Sequence, residues 1–172
     1  MLISHKKKFI FVHIYKTAGT SVMELFLPYA RLVDRLAYDY SLSKKVYGAL
    51  INLMGWYDDG LRQFTGYHKH AKAYEIRRKL GHRIYDSYFK FAFVRNPWER
   101  LVSEYEFILT RPEHGRYQRV KKRPDFTEFI RMQIPRRDAY QLNMVCDRMG
   151  RLLLDCVGKM ENLDEDWKTV CT

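Results

Sequence analysis

One short loop, Tyr15-Lys16-Thr17-Ala18-Gly19-Thr20-Ser21, gathers a lysine, a glycine and several hydroxyls, and a later string, Arg95-Asn96-Pro97-Trp98-Glu99-Arg100-Leu101-Val102-Ser103, adds an arginine and a serine. These residue types bind anionic oxygens. A lysine contributes a point charge, an arginine a planar fork that can grip two phosphate oxygens, and hydroxyls contribute single donors. A glycine lets backbone come close to a ligand. The elements that must position these groups are written on either side of them. Before the loop, the unbroken apolar run Phe9-Ile10-Phe11-Val12 reads as a strand buried on both faces, spanning residues 9–14. After it, Val22-Met23-Glu24-Leu25-Phe26 suits a helix. Unpaired N–H groups at a helix start, with the helix dipole behind them, favour an anion there. Arg95 leaves the carboxyl end of a second apolar run, residues 87–94, and Pro97 suits the first turn of a helix that continues to about Thr110. Ser103 lies on that helix and adds a hydroxyl if its face turns toward the loop.

The loop is not that of nucleotide triphosphatases, which places Lys after the second Gly of G-x-x-x-x-G-K-[ST]; here Lys16 precedes Gly19. The order K-T-x-G-T-S after a buried strand instead resembles the 5′-phosphosulfate-binding loop of sulfotransferases, in particular those that sulfate carbohydrates. The string R-N-P-[aromatic]-x-R-L-V-S is similar to the 3′-phosphate-binding motif of the same family. Val157-Gly158-Lys159-Met160-Glu161-Asn162-Leu163 looks like its late strand and turn, where Glu161 either ties loop ends together or stands on the surface. The resemblance implies PAPS (3′-phosphoadenosine-5′-phosphosulfate) as co-substrate. Lys16, Thr17, Ala18, Gly19, Thr20 and Ser21 would surround its phosphosulfate, with Lys16 also catalytic at the bridging oxygen. Arg95 and Ser103 would hold its 3′-phosphate. The acceptor would be a hydroxyl, on a carbohydrate above all, and no metal is required.

A third group is His68-Lys69-His70. In extended backbone the two imidazoles share a face. No third ligand at matching spacing supports zinc, whereas a histidine near neutral pKa suits a general base. The H-x-H spacing resembles the catalytic histidines of hexuronic-acid 2-O-sulfotransferases, which implies His68 or His70 as the base. Glu75 is the alternative carboxylate, though its place in a helical run favours a solvated face.

Composition narrows the partners. Thirty-one Lys and Arg against 20 Asp and Glu give a net charge of +11 over 172 residues, so the partners are expected to be anionic. An ATP-dependent small-molecule kinase and a non-enzymatic basic protein that binds glycans or other polyanions are the competing readings; nucleic acid is not the expected partner. Cys146, Cys156 and Cys171 form no C-x-x-C pair, which fits free thiols in a reducing compartment. With no signal-peptide core and no long apolar run, the expectation is a cytoplasmic protein without a transmembrane segment.

Along the chain, residues 1–8 read as a basic lead-in and residues 20–36 as a helix with a break at Pro28. Residues 37–57 read as a second amphipathic helix, with a turn at Asp58-Asp59-Gly60 and a short strand over 63–67. Ala73–Leu80 is expected to be a helix capped by Gly81. Residues 111–125 are expected to form a mobile acceptor-binding flap, followed by a short helix over 126–133 and a helical piece around Leu142–Val145. Residues 152–158 are expected to form a third strand, and a last helix capped by Asn162 or Asp164 to run to the end of the chain. Strands alternating with helices argue for an α/β fold, a largely parallel central sheet flanked by helices with a P-loop-like strand–loop–helix. The expectation is one sulfotransferase-like domain over 1–172, either short by nature or lacking the C-terminal segment with which the family usually covers the adenine.

Overall fold

The computed structural model of the chain describes residues 1–30, 69–122, 125–136 and 140–171. The expected helix over 37–57, the turn at 58–60, the strand over 63–67 and His68 lie outside the described residues.

A four-stranded sheet organises what is described. Its strands are β1 (Leu2–Ser4), β2 (Phe9–Phe11), β3 (Phe89–Val94) and β4 (Cys156–Lys159), in the order β1-β2-β3-β4. β2 pairs parallel with β3, Phe11 opposite Phe91, and β3 pairs parallel with β4, Val94 opposite Lys159. β1 runs antiparallel to β2 and forms the edge. The lead-in is therefore a hairpin. Leu2-Ile3-Ser4 is buried, and the Ser4 hydroxyl both accepts the Lys7 N–H and donates to the Tyr29 carbonyl. Three residues followed by a lysine run carry too little periodicity for a strand to be read from sequence.

Both sheet faces are covered, which is why β2 and β3 are apolar at nearly every position. Phe9, Phe11, Phe91 and Phe93 point to one face. There they meet Val22, Met23 and Phe26 of α1 (Gly19–Phe26), and Trp167 of the C-terminal helix stacks on Phe93 at 5.9 Å between ring centroids. Ile10, Val12 and Ala92 point to the other face, against Ile76 of α2 (Ala73–Leu80), Tyr85 of α3 (His82–Ser87) and Met144 and Val145. Gly158 leaves room for this packing, since a Cβ there would lie 2.6 Å from Phe93 Cε1. A lysine on the inner part of β3 is tolerated because Lys90 Nζ reaches Asp155 Oδ2 at 2.9 Å. The long helix α4 (Pro97–Leu109) carries a separate cluster, Ile108 with Val120 of α5 (Tyr117–Lys121) and Phe129 of α6 (Phe126–Gln133). The chain then passes through α7 (Leu142–Val145), β4 and a 3-10 turn (Met160–Asn162) into α8 (Leu163–Cys171).

The α/β fold, its mostly parallel sheet and the helices at 73–80 and 126–133 match the sequence reading. Several boundaries differ. β2 ends at Phe11, because β1 gives out there; only the Val12 N–H, donating to the Phe91 carbonyl at 2.9 Å, extends the pairing. α1 ends at Phe26 and passes into a 3-10 turn at Leu27–Tyr29. The third strand starts later than expected, at Cys156, and Leu152 instead bridges Cys146. The segment foreseen as a flap contains α5, which Val120 anchors in the core. No helix among the described residues is long and apolar enough to cross a membrane.

Candidate functional site

β2 and β3 are parallel neighbours, so the turns that follow them leave the same edge of the sheet, at strand spacing of about 4.8 Å. This brings the lysine loop and the arginine turn together, although they are far apart in sequence. β4 ends at that edge too, and supplies Glu161.

The lysine loop is held by its own backbone. Lys16 (φ 61°) and Ala18 (φ 52°) are both left-handed, a conformation that costs a side-chain-bearing residue roughly 1 kcal/mol. Turns of this type make successive N–H groups face a common concavity. Thr17 is buried and its hydroxyl donates back to the Ile14 carbonyl at 3.2 Å, so its side chain closes the loop and only its amide can face a ligand. α1 begins on Ala18 without a side-chain cap and without an acid in its first turn, so its positive end is not neutralised locally. Thr20 and Ser21 are exposed on that first turn. Gly19 serves a purpose that sequence did not disclose: a Cβ there would lie 1.9 Å from His13 Cδ2 and 2.2 Å from His13 Nε2. The close approach it permits is to the buried His13 ring beneath the loop.

His70 stands on this loop. Its Nδ1 lies 3.0 Å from the His13 carbonyl, and its ring stacks on Tyr15 at 3.6 Å between centroids. A carbonyl can only accept, so Nδ1 carries the proton in this contact and Nε2 is the basic nitrogen of the neutral ring. Glu75, the alternative base, is committed elsewhere. It accepts the Lys72 N–H at the start of α2 and the Tyr74 hydroxyl.

The arginine turn is tied down on three sides. Gln141 accepts the Arg95 N–H at 2.9 Å and donates from Nε2 to the Arg95 carbonyl at 2.7 Å. Glu161 accepts the Asn96 N–H at 2.5 Å, and that bond holds its carboxyl below the usual range. Asn96 caps α4 through the N–H groups of Trp98 and Glu99. The Arg95 side chain reaches Glu99 Oε2 at 3.3 Å.

One stripe of α4 connects the two turns. Glu99, Ser103 and Phe107 follow at i, i+4 and i+8, so they lie on one face over roughly 12 Å of helix. Arg95 meets Glu99 at one end, and Lys16 Nζ sits 4.0 Å from the Phe107 ring centroid at the other. Half-buried Ser103 lies between them on the same helix face. Arg111 Cζ is also on the Phe107 ring, at 4.3 Å. Burial lowers the Lys16 pKa below the ordinary lysine value, and the positive charges of Arg111 and Arg95 lower it further. Like charges held this close favour a bound anion.

The structure thus brings Lys16, Ala18, Gly19, Thr20, Ser21, His70, Arg95 and Ser103 to one edge of the sheet, with Thr17 turned inward. Sequence reasoning missed Gln141, Phe107, Arg111, His13 and Tyr15. Tyr15 and Arg111 stood in segments already marked, whereas Gln141 carries no local signal. Among the described residues no three His, Cys, Asp or Glu side chains gather as a metal centre requires.

A family model described as the sulfotransferase family matches residues 1–172. An uncharacterized protein of Archaeoglobus fulgidus is 33% identical over 98 residues, covering 55% of this chain and 73% of its own length. No solved structure matches.

Proposed function

The chain belongs to the sulfotransferase family, and from that premise we propose that it transfers a sulfuryl group from PAPS to a hydroxyl of a carbohydrate acceptor, as one domain over residues 1–172. The observation that carries the proposal is the α4 stripe, which has Lys16 at one end, Arg95 at the other and the Ser103 hydroxyl between. The donor set suits a ligand with anionic groups at two ends: an ammonium, two guanidiniums, hydroxyls and an uncapped helix start.

In this reading the amides of Ala18 to Ser21, with the Thr20 and Ser21 hydroxyls, hold the 5′-phosphosulfate, and the Thr17 amide lies beside them. Arg95 and Ser103 hold the 3′-phosphate, the group that distinguishes PAPS from ATP. PAPS supplies the activated sulfuryl group. Lys16 keeps positive charge beside the bridging oxygen, where negative charge grows as the bond breaks. His70 takes the acceptor proton at Nε2, its ring oriented by the His13 carbonyl and Tyr15. His68 remains the second candidate for this role. The protein's contribution is mainly positioning and charge, as in phosphoryl transfer.

Mass-spectrometric screening of glycans incubated with protein and PAPS tests the reaction, with a mass gain of one sulfuryl group expected. Calorimetry with the desulfated product PAP against ATP plus Mg²⁺ tests the donor. Tighter binding of PAP supports the proposal, and preference for ATP would replace it with the kinase reading. Steep salt-dependent binding of polyanions that ignores Lys16 would point to a binding protein instead.

A further inference from the structure

Three arginines share one carboxylate where α4, α5 and α6 meet. Glu104 has Arg116 Nη1 at 2.6 Å and Arg136 Nη1 at 3.7 Å from Oε1, and Arg100 Nη1 at 3.3 Å from Oε2. Gln133 Oε1 accepts from Arg136 Nη1 at 3.1 Å. Arg100 and Gln133 are more than nine-tenths buried, at 6% and 5% exposure, yet Arg100 Nε and Gln133 Nε2 have no hydrogen-bond partner among the described residues. Both of these atoms are donors, so what the cluster lacks is an acceptor. Charge tells the same story. Arg100 and Arg116 both rely on Glu104, so one carboxylate is set against two cations, Arg100 buried and Arg116 partly so. Burial accordingly lowers the pKa of Arg116 below its ordinary value, a shift that Glu104 opposes and Arg136 adds to.

We propose that this cluster is a second oxyanion site, which takes a carboxylate or sulfate group. Arg100 Nε and Gln133 Nε2 are its inner, enclosed donors, and Arg116 and Arg136 its outer ones. The outer donors reach solvent, with the Arg116 and Arg136 side chains 25% and 36% exposed. The cluster and the lysine loop share α4, which carries Arg100 and Glu104 as well as the Phe107 ring under Lys16. An anionic group on the acceptor is therefore one source of the oxyanion, and a free anion is the other; only the first rests on the proposed sulfotransfer.

The test follows the arginine Nε–H resonances of the full chain by NMR, with sodium sulfate titrated against sodium chloride at matched ionic strength. An Arg100→Lys variant assigns the resonance. A saturable shift of the Arg100 Nε–H with sulfate alone is expected. It should persist in Lys16→Ala, which disables the lysine loop, and weaken at least about tenfold in Arg136→Gln, which removes one forked donor. An unmoved Arg100 resonance, an equal response to chloride, or unchanged affinity in Arg136→Gln overturns the site. The wild-type titration decides the matter even if the Arg136 variant does not fold. Glucuronate that displaces sulfate where glucose does not assigns the site to a carboxylate on the acceptor, and sulfate binding that glucuronate leaves untouched assigns it to a free anion. Failure of sulfotransfer would leave the sulfate titration unaffected, so the two proposals fail separately.

Discussion

Gln141 grips Arg95 by both main-chain groups, accepting its N–H at 2.9 Å and donating to its carbonyl at 2.7 Å. A side-chain amide thereby extends β3 by one residue on the side where no strand continues, and sets the direction in which the arginine leaves the sheet. Gln141→Ala is expected to weaken PAP binding by up to about thirtyfold, since two hydrogen bonds of about 1 kcal/mol each are lost at the base of the turn. Calorimetric titration checks this; unchanged PAP affinity would mean that Arg95 does not depend on the clamp or does not hold the ligand.

Lys16→Ala is expected to reduce sulfuryl transfer by at least ~10²-fold, the scale of losing one donor aimed at developing charge. The fold should survive, because the substitution removes a cation held close to Arg111 and Arg95. Circular dichroism and single-turnover assays read the two effects separately, and full activity in this variant would remove the mechanism.

The lowered pKa of Lys16 has a sign that can be measured. Between its lowered value and the ordinary lysine value of about 10.4, the folded chain binds fewer protons at this group than the unfolded chain does, so the stability contribution from Lys16 rises with pH across that alkaline window. An anion bound beside it favours the charged form. PAP binding in that window is therefore expected to take up protons, seen as a dependence of the calorimetric heat on buffer ionisation enthalpy. Lys16→Ala should abolish it.

Gly19→Ala is expected to destabilise the fold by a few kcal/mol, because the new Cβ collides with the His13 ring. The double variant Gly19→Ala with His13→Ala should regain part of that loss, as the contacting atoms belong to the His13 side chain. Thermal melts of the four proteins form the cycle, and strictly additive losses would refute the contact.

Glu161 links the arginine turn to pH. Its carboxyl is held low by the Asn96 N–H, so its contribution is present above the ordinary carboxylate range and is lost as pH falls through the lowered value. PAP affinity should drop at acid pH in the wild type. In Glu161→Gln, which keeps an acceptor but does not titrate, that drop should be smaller.

The parts of the site legible in sequence are those made by neighbours along the chain. A buried run followed by a lysine–hydroxyl loop, and a second run followed by Arg95-Asn96-Pro97, each declare a strand, a turn and a helix start. Asn96 does cap α4, and Gly81 does end α2 with φ at 89°. Boundaries were less legible. Where β2 stops depends on the length of its partner β1, which leaves no trace in β2 itself.

What the sequence determined alone is the local chemistry: two anion-seeking turns, each on a strand that must be buried because its residues are apolar in succession. What the tertiary structure decided is that they meet. Parallel pairing of β2 with β3 sends both turns to one edge, a helix stripe spaces Lys16 and Arg95 around Ser103, and Gln141 arrives from a distant segment to orient the arginine. Contacts of this kind depend on which surfaces pack together, and a residue such as Gln141 reads like any other polar residue until the chain has folded around it.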